Sequence, residues 1–203
     1  MQWHYRTGIP IFKRCRRQLR WGGSTTTDKK HLELFCKEIS NGLKVKEYTT
    51  YLKKTNKEYK MCSLRVYNKK IVNDLIKLGV INKKSLNEVF PSIPNTLHRH
   101  FIRGYFDGDG CFSYWYSKDG RLNCSASILS GKKLSDSLKS IIEKELDIYI
   151  GQNNNSKNKK LYKTVATNNN SVKLMNWIYK DSHIHLDRKY IKFQEYLNCK
   201  DIV

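Results

Sequence analysis

Two carboxylates stand two residues apart in the segment Asp107-Gly108-Asp109-Gly110, directly after a stretch with helical periodicity. That stretch places apolar residues at helical spacing, at Leu97, Phe101, Ile102, Tyr105 and Phe106. Acidic side chains at the C-terminal end of a helix oppose its dipole. A divalent cation bound by carboxylate and carbonyl oxygens would offset that repulsion. The segment therefore predicts a metal site, while an acidic turn that binds no metal is the alternative.

The helix before these carboxylates has a predicted start and an unusual glycine. Asn95 is expected to cap its first turn, because an asparagine side chain can accept hydrogen bonds from the unpaired amides there. Gly104 lies inside the helix, where glycine costs about 1 kcal/mol relative to alanine. Close approach of another helix is the physical reason to keep glycine at this position, so Gly104 is a predicted helix-interface residue.

The charge of the chain indicates a polyanionic partner. Its 203 residues include 39 Lys and Arg against 18 Asp and Glu, a formal net charge of +21 at pH 7. Aromatic residues make up 12% of the chain, which distinguishes it from a disordered basic tail. There is neither an apolar run long enough to span a membrane nor a visible secretory signal. We therefore expect a protein of the cytoplasm, the nucleoid or an organelle matrix, without a membrane partner.

The chain repeats itself at a spacing of 103 residues. Residues 24–77 align without a gap to residues 127–180, and apolar positions match between the copies, as at Phe35 and Leu138. Each copy is predicted to form a helix, a hairpin and a second helix. The predicted elements are 28–40, 44–52 with 58–67, and 68–78, then 131–146, 147–152 with 160–168, and 171–180. The predicted domains are a basic segment of unassigned structure at 1–22, an incomplete unit at 23–91 and a complete unit at 92–203.

Two more strands are predicted ahead of the second copy. Residues 112–117 and 121–129 alternate between apolar and polar side chains, as in a sheet with one buried face. A polar sheet face can lie in the DNA major groove, and a plain solvated face is the alternative. The polar face is expected at Ser113, Trp115, Arg121, Asn123, Ser125 and Ser127. Further candidates for DNA contacts in the later hairpins are Lys46, Tyr48, Tyr59, Arg65, Lys157, Lys160 and Tyr162.

The segment Ile102-Arg103-Gly104-Tyr105-Phe106-Asp107-Gly108-Asp109-Gly110 resembles the LAGLIDADG motif of homing endonucleases. Residues 78–94 are similar to the segment that leads into the second motif of single-chain members, and residues 186–193 to their closing segment. The resemblance implies an α+β fold with a pseudo-twofold pair of αββαββα units. The antiparallel sheets of the two units would form a DNA-binding saddle, with the N-terminal unit incomplete.

The same resemblance implies a site-specific double-strand DNA endonuclease that hydrolyses phosphodiester bonds with Mg²⁺ or Mn²⁺ at a long recognition site. By motif position, Asp109 is the implied catalytic acid, and Gly108 would supply a carbonyl as a further metal ligand. Asp107 is expected to orient the turn at the helix interface rather than to bind metal. Lys189 matches the lysine that lies beside the active site in the second unit. Lys84 is the best candidate in the first, with Lys83 as the alternative.

The chain departs from this pattern at its beginning. The spacing of 103 residues places the counterpart of Asp109 at Arg6, and residues 1–22 contain no Asp or Glu. The first motif is therefore expected to be absent, which leaves an inactive enzyme, a homodimer or a missing partner fragment as possibilities. Two other functions also stay open, a non-catalytic regulatory DNA-binding protein on the same scaffold and an RNA-splicing maturase.

Overall fold

The computed structural model describes residues 11–15, 18–23, 26–39, 44–52, 56–66, 69–79, 86, 88–155 and 160–201. The chain forms two compact units, Met1–Lys83 and Lys84–Val203, and each is described separately below. Helices of the described part reach at most 15 residues, and none of them is both long and apolar enough to cross a membrane.

Four antiparallel strands and two helices make up the described part of the first unit. They are β1 (Ile11–Cys15), β2 (Gln18–Gly23), α1 (Thr26–Ile39), β3 (Lys46–Leu52), β4 (Lys57–Val66) and α2 (Lys69–Lys77). The strands lie in the order β1-β2-β4-β3. Cys36 of α1 and Leu64 of β4 are buried together, and Ile71 and Leu75 of α2 pack against them. Both helices therefore cover the face of the sheet that carries Leu64.

The second unit has the same arrangement of strands and two more helices. A single turn of 3₁₀ helix (Asn95–Leu97) leads into α3 (His98–Asp109), β5 (Gly110–Tyr116), β6 (Leu122–Ser130), α4 (Lys132–Leu146), β7 (Gly151–Asn154), β8 (Tyr162–Thr167), α5 (Asn168–Tyr179) and α6 (Asp187–Asp201). The strands lie in the order β5-β6-β8-β7 and are all antiparallel. Apolar side chains of the helices, among them Phe106, Leu138, Ile178 and Phe193, are buried against one face of the sheet.

The repeat in the sequence corresponds to a repeated order of elements. In each unit two strands, a helix, two strands and a helix follow one another, and the strand orders of the two sheets match. The described part of residues 1–22, to which the sequence assigned no structure, forms β1 and most of β2. Residues 1–10, which precede β1, lie outside the described residues, and α3 precedes β5 in the second unit.

The beginning and the end of α3 differ from the sequence prediction. Asn95 does not cap the helix, because a 3₁₀ turn begins at Asn95 itself and α3 begins three residues later, after Leu97, without a side-chain cap. The helix also continues through Asp107 and Gly108 and ends at Asp109, so that Gly110 is both its C-cap and the first residue of β5.

Two of the three motif glycines, Gly104 inside α3 and Gly110 at its C-cap, have opposite surroundings. A Cβ atom added at Gly104 would meet no described atom within 4 Å. The close helix approach predicted for Gly104 thus has no partner among the described residues. A Cβ atom added at Gly110 would lie 2.5 Å from the carbonyl oxygen of Phe106 and would overlap its ring. Gly110 is therefore required for the tight junction between α3 and β5.

We expect Gly110→Ala to lower the free energy of unfolding by about 1–3 kcal/mol, because the new methyl group overlaps Phe106. The matched change Gly104→Ala should raise it by about 0.5–1 kcal/mol, because alanine favours an exposed helix interior over glycine. Denaturant unfolding of both variants checks this pair of results. Destabilisation by Gly104→Ala would instead show that a chain segment does pack against Gly104.

Candidate functional site

Asp109 lies at the corner where α3 turns into the sheet. It is the last residue of α3 and is partly exposed, and the next residue, Gly110, pairs with Ile128 of β6. The amide of Gly110 donates to the carbonyl of Phe106, which closes the last turn of the helix. Because no loop separates the helix from the strand, the backbone at Asp109 has little freedom.

Lys189 holds the C-terminal end of α3 from the first turn of α6. Its side chain is almost completely buried, and Nζ donates to the carbonyl oxygens of Phe106 and Gly110, both at 2.6 Å. These two carbonyls flank the segment Gly108-Asp109. A cation at a helix C-terminus stabilises the negative end of the helix dipole. The repulsion that the sequence predicts at this helix end is thus offset, at least in part, by the ammonium group of Lys189.

The buried position of Lys189 changes its ionisation. The pKa of the ammonium group is lowered to about 8, chiefly by burial and also by the neighbouring Arg188, while Asp107 and Asp109 act in the opposite direction. The structure thus brings Lys189 and Asp109 close enough to interact electrostatically. The ammonium group itself donates to two backbone carbonyls, that of Phe106 in α3 and that of Gly110 at the start of β5.

Asp107 anchors α3 to the rest of the second unit. It is 4% exposed, its Oδ1 accepts a hydrogen bond of 2.7 Å from the hydroxyl of Tyr179 in α5, and its Oδ2 accepts one of 3.1 Å from the amide of Leu186. Burial raises the pKa of Tyr179 far above its usual value, and the charge of Asp107 raises it further. Both oxygens of Asp107 thus accept hydrogen bonds within the second unit.

Two arginines of α3, which the sequence analysis did not single out, bind the end of α5. Arg103 donates to the carbonyl of Ile178 at 3.2 Å, and Arg99 donates to the carbonyl of Lys180 at 3.1 Å. Their spacing of four residues places them on one side of α3. That spacing was the available signal, but it did not reveal that the partners would be backbone carbonyls.

The second sheet presents one face away from its helices, and we call it the open face. Directly paired residues of antiparallel strands lie on the same face, and β5 pairs with β6 as Ser113 with Ser125 and Trp115 with Asn123. The alternate positions, such as Phe112 and Ala126, are buried. By register, the positions of the open face are Cys111, Ser113, Trp115, Asn123, Ser125, Ser127, Leu129, Gly151, Asn153, Lys163, Val165 and Thr167. Ser127 is buried at 9% exposure, unlike the other predicted contact residues of this face.

Arg121 and Asn123 take part in the β5–β6 turn. The Nε and Nη2 atoms of Arg121 lie 2.6 and 2.5 Å from Oδ2 of Asp119. The side-chain amide of Asn123 donates to Ser117 at 3.1 Å and to the carbonyl of Arg121 at 2.9 Å. Arg121 thus directly precedes β6 as an exposed turn residue paired with Asp119, and its contact with DNA stays a prediction.

The later hairpins place the other candidates differently. Tyr162 pairs with the buried Ser130 and lies below Lys132 of α4, so the expectation that it faces DNA with the open face is wrong. Lys160 is an exposed turn residue, and Lys157 lies outside the described residues. Lys84 also lies outside them.

In the first unit, the predicted contact residues occupy one set of alternating positions. Lys46 and Tyr48 of β3 are exposed and pair with Ser63 and Met61, which alternate with the buried Leu64. Tyr59 and Arg65 occupy the same alternation of β4 by register. All four positions therefore belong to the face of this sheet opposite α1 and α2.

The donor atoms at the end of α3 fit only part of a metal site. The described residues contain no group of three or more His, Cys, Asp or Glu side chains that could hold an ion. Mg²⁺ is commonly bound through one or two carboxylates together with phosphate oxygens and water. The partly exposed Asp109 carboxylate is compatible with such a shared site, in which a phosphate supplies further ligands, whereas Gly108, the other predicted ligand, is buried.

We expect Tyr179→Phe to lower the free energy of unfolding by about 1–3 kcal/mol, because the buried carboxylate of Asp107 loses a hydrogen-bond donor. Tyr116→Phe removes a hydroxyl from a residue that is 57% exposed and serves as the matched control, with little change expected. Denaturant unfolding of both variants is the measurement. Equal effects of the two substitutions would contradict the anchoring role of Asp107.

The lowered pKa of Lys189 has a predictable effect on stability. The native chain binds this proton less tightly than the unfolded chain, in which the lysine pKa is near 10.5. The contribution of Lys189 to the free energy of unfolding should therefore rise between pH 8 and 10.5 and be constant below that range. The difference in unfolding free energy between the wild type and Lys189→Met, followed with pH, measures this rise. A difference that stays flat up to pH 10.5 would contradict it.

No protein-family model matches the chain. A segment of 107 residues, 51% of the chain, is 32% identical to the reverse gyrase of Methanocaldococcus jannaschii (strain ATCC 43067 / DSM 2661 / JAL-1 / JCM 10045 / NBRC 100440). The match covers only 6% of the length of that protein, so the activity of the whole reverse gyrase does not transfer to this chain.

Solved structures match over most of the chain. The meganuclease I-SmaMI bound to uncleaveable DNA is 13% identical, with a TM-score of 0.63 over 91% of this chain and 78% of that one. The homing endonuclease I-WcaI bound to its DNA recognition sequence is 13% identical, with a TM-score of 0.60 over 89% and 79%. The LAGLIDADG meganuclease I-AabMI bound to uncleaved DNA is 12% identical, with a TM-score of 0.52 over 91% and 82%. The chain therefore has the α+β fold with antiparallel sheets that is found in LAGLIDADG homing endonucleases.

Proposed function

We propose that the chain is a DNA endonuclease of the homing endonuclease type. It binds a long specific duplex site and hydrolyses a phosphodiester bond there, with Asp109 as the catalytic acid. The observation that carries this proposal is the fixed corner at the end of α3. There the partly exposed carboxylate of Asp109 adjoins β5, the first strand of the open face. Lys189 donates hydrogen bonds to the carbonyls of Phe106 and Gly110 at the same place. The carboxylate and the sheet face are thus parts of one continuous stretch of chain.

Duplex DNA is the partner that best fits the charge and the fold. A net charge of +21 favours a polyanion. The three similar structures named above contain DNA. The major groove admits a two-stranded ribbon, and β5 with β6 forms such a ribbon with a polar outer side. Phosphate contacts release counterions, so binding by this chain should weaken steeply as salt increases.

The residues at the corner have distinct roles in the proposed hydrolysis. Asp109 and the carbonyl of Gly108 would hold a divalent ion, Mg²⁺ or Mn²⁺, which polarises a phosphodiester and activates water when bound. Lys189 donates hydrogen bonds to the carbonyls of Phe106 and Gly110 on either side of this segment, which keeps the orientation of the Asp109 carboxylate fixed. Asp107 fixes α3 against α5 through Tyr179 and does not take part in the reaction.

A single acid limits what one copy of the chain can do. Cutting both strands of a duplex requires a carboxylate for each strand, and residues 1–22 contain no Asp or Glu. We propose that one copy nicks one strand at Asp109, and that a second copy or a separate fragment would supply the other acid. The lack of acidic residues at 1–22 also favours a second candidate, a DNA-binding protein on this scaffold that does not cut.

Selection followed by cleavage distinguishes these candidates. The wild type is incubated with a randomised duplex library at low salt, and the bound sequence is recovered and placed in a supercoiled plasmid. With Mg²⁺ or Mn²⁺ we expect the wild type to nick the plasmid at that site. Asp109→Asn should bind the site equally well. It should nick the site at least about 100-fold more slowly, because the substitution removes the carboxylate charge beside the reacting phosphate.

Asp147→Asn is the matched control. It makes the same change from carboxylate to amide at an exposed residue whose left-handed backbone (φ 49°) asparagine tolerates, and nicking should stay unchanged. A wild type that binds the selected site but never nicks it would leave the non-catalytic protein as the function. A wild type that selects no duplex sequence would exclude both candidates.

A further inference from the structure

The open face of the second sheet is nearly free of charge in a strongly basic chain. All its strand residues belong to the described part, and Lys163 of β8 is the one charged residue among them. The centre of the face consists of hydroxyl and methyl groups, from Ser113, Ser125, Val165 and Thr167. Arg121 lies in the turn before β6, outside the strand residues of this face, and its exposed guanidinium group is paired with Asp119.

This composition limits the bases that the face can read. Guanine is read in the major groove chiefly by Arg or Lys, which donate to its O6 and N7 atoms. The strands β5 and β6 present no such donor on the open face. Serine hydroxyls can bond to either base pair, and the methyl groups of threonine and similar side chains contact the thymine methyl. Trp115, which is 47% exposed, adds a further apolar surface.

The first sheet differs in residue type at the equivalent positions. Lys46 is exposed on β3, and the register pairs Arg20 of β2 with Arg65 of β4 at positions that alternate with the buried Leu64. Cationic residue types therefore recur on the face opposite α1 and α2. The two sheets would therefore contact DNA bases through different residue types, cationic ones in the first sheet and mostly uncharged ones in the second.

We infer that the strand residues of the open face read an A·T-rich segment of the target, in which guanine is accepted only beside Lys163. This inference rests on the proposed binding of duplex DNA and adds the class of sequence that the second sheet recognises. It follows from the polar and methyl-bearing side chains of the open face. It follows also from the position of Lys163, the one cation of that face, near the start of β8.

The test repeats the library selection with the wild type, Trp115→Ala and Lys163→Ala. Both side chains are exposed on the open face, so the variants should fold, which circular dichroism verifies. Positions whose base preference weakens in either variant define the segment that the second sheet contacts. We expect A·T pairs throughout this segment, except beside the positions that depend on Lys163. Replacement of one such A·T pair by G·C should weaken wild-type binding about tenfold.

The outcomes separate this inference from the function on which it rests. Enriched G·C pairs at the positions that depend on Trp115 would overturn the inference and leave DNA binding intact. A selected site in which neither variant changes any position would also overturn it, because the open face would then contact no bases. If the wild type selects no sequence at all, the proposed function fails and the inference fails with it.

Discussion

The ammonium group of Lys189 against the end of α3 is the interaction on which the candidate site depends. The last turn of α3 carries Asp107 and Asp109, and acids at this end of a helix oppose its dipole. Lys189 supplies a positive charge from α6, 83 residues away in sequence from Phe106, and binds the carbonyls that flank Asp109. Helix α6 thereby stabilises Asp109 and Gly110, where α3 continues into the first strand of the second sheet.

The helices and strands of the second unit were largely predictable, because their signals are local. Apolar spacing along α3, α4 and α5 and the alternation in β5 and β6 follow from the periods of helix and strand. The strands β1 and β2 were not assigned, since a short basic segment such as residues 11–23 has no clear alternation of its own. Their positions are fixed by pairing with β4, which is a tertiary contact.

The candidate site was predictable in its residues and less so in its contacts. Motif position identified Asp109 and Lys189, but nothing in the sequence indicates that the ammonium group would bind carbonyls of α3. The pairing of Arg121 with Asp119 escaped notice because strand alternation assigns a face and says nothing of a partner in the adjoining turn. Tyr162 was assigned to the wrong face for a related reason, since its face depends on the register between β6 and β8.

The different environments of the two carboxylates of α3 have an evolutionary consequence. Asp107 belongs to the scaffold, through Tyr179 and Leu186, whereas Asp109 adjoins the sheet surface. Under the proposed function, a lineage no longer selected for DNA cutting can lose the acid at position 109 by a single substitution and still inherit an intact domain. Loss of the acid at position 107 would remove two buried hydrogen bonds, so such a lineage should retain Asp107.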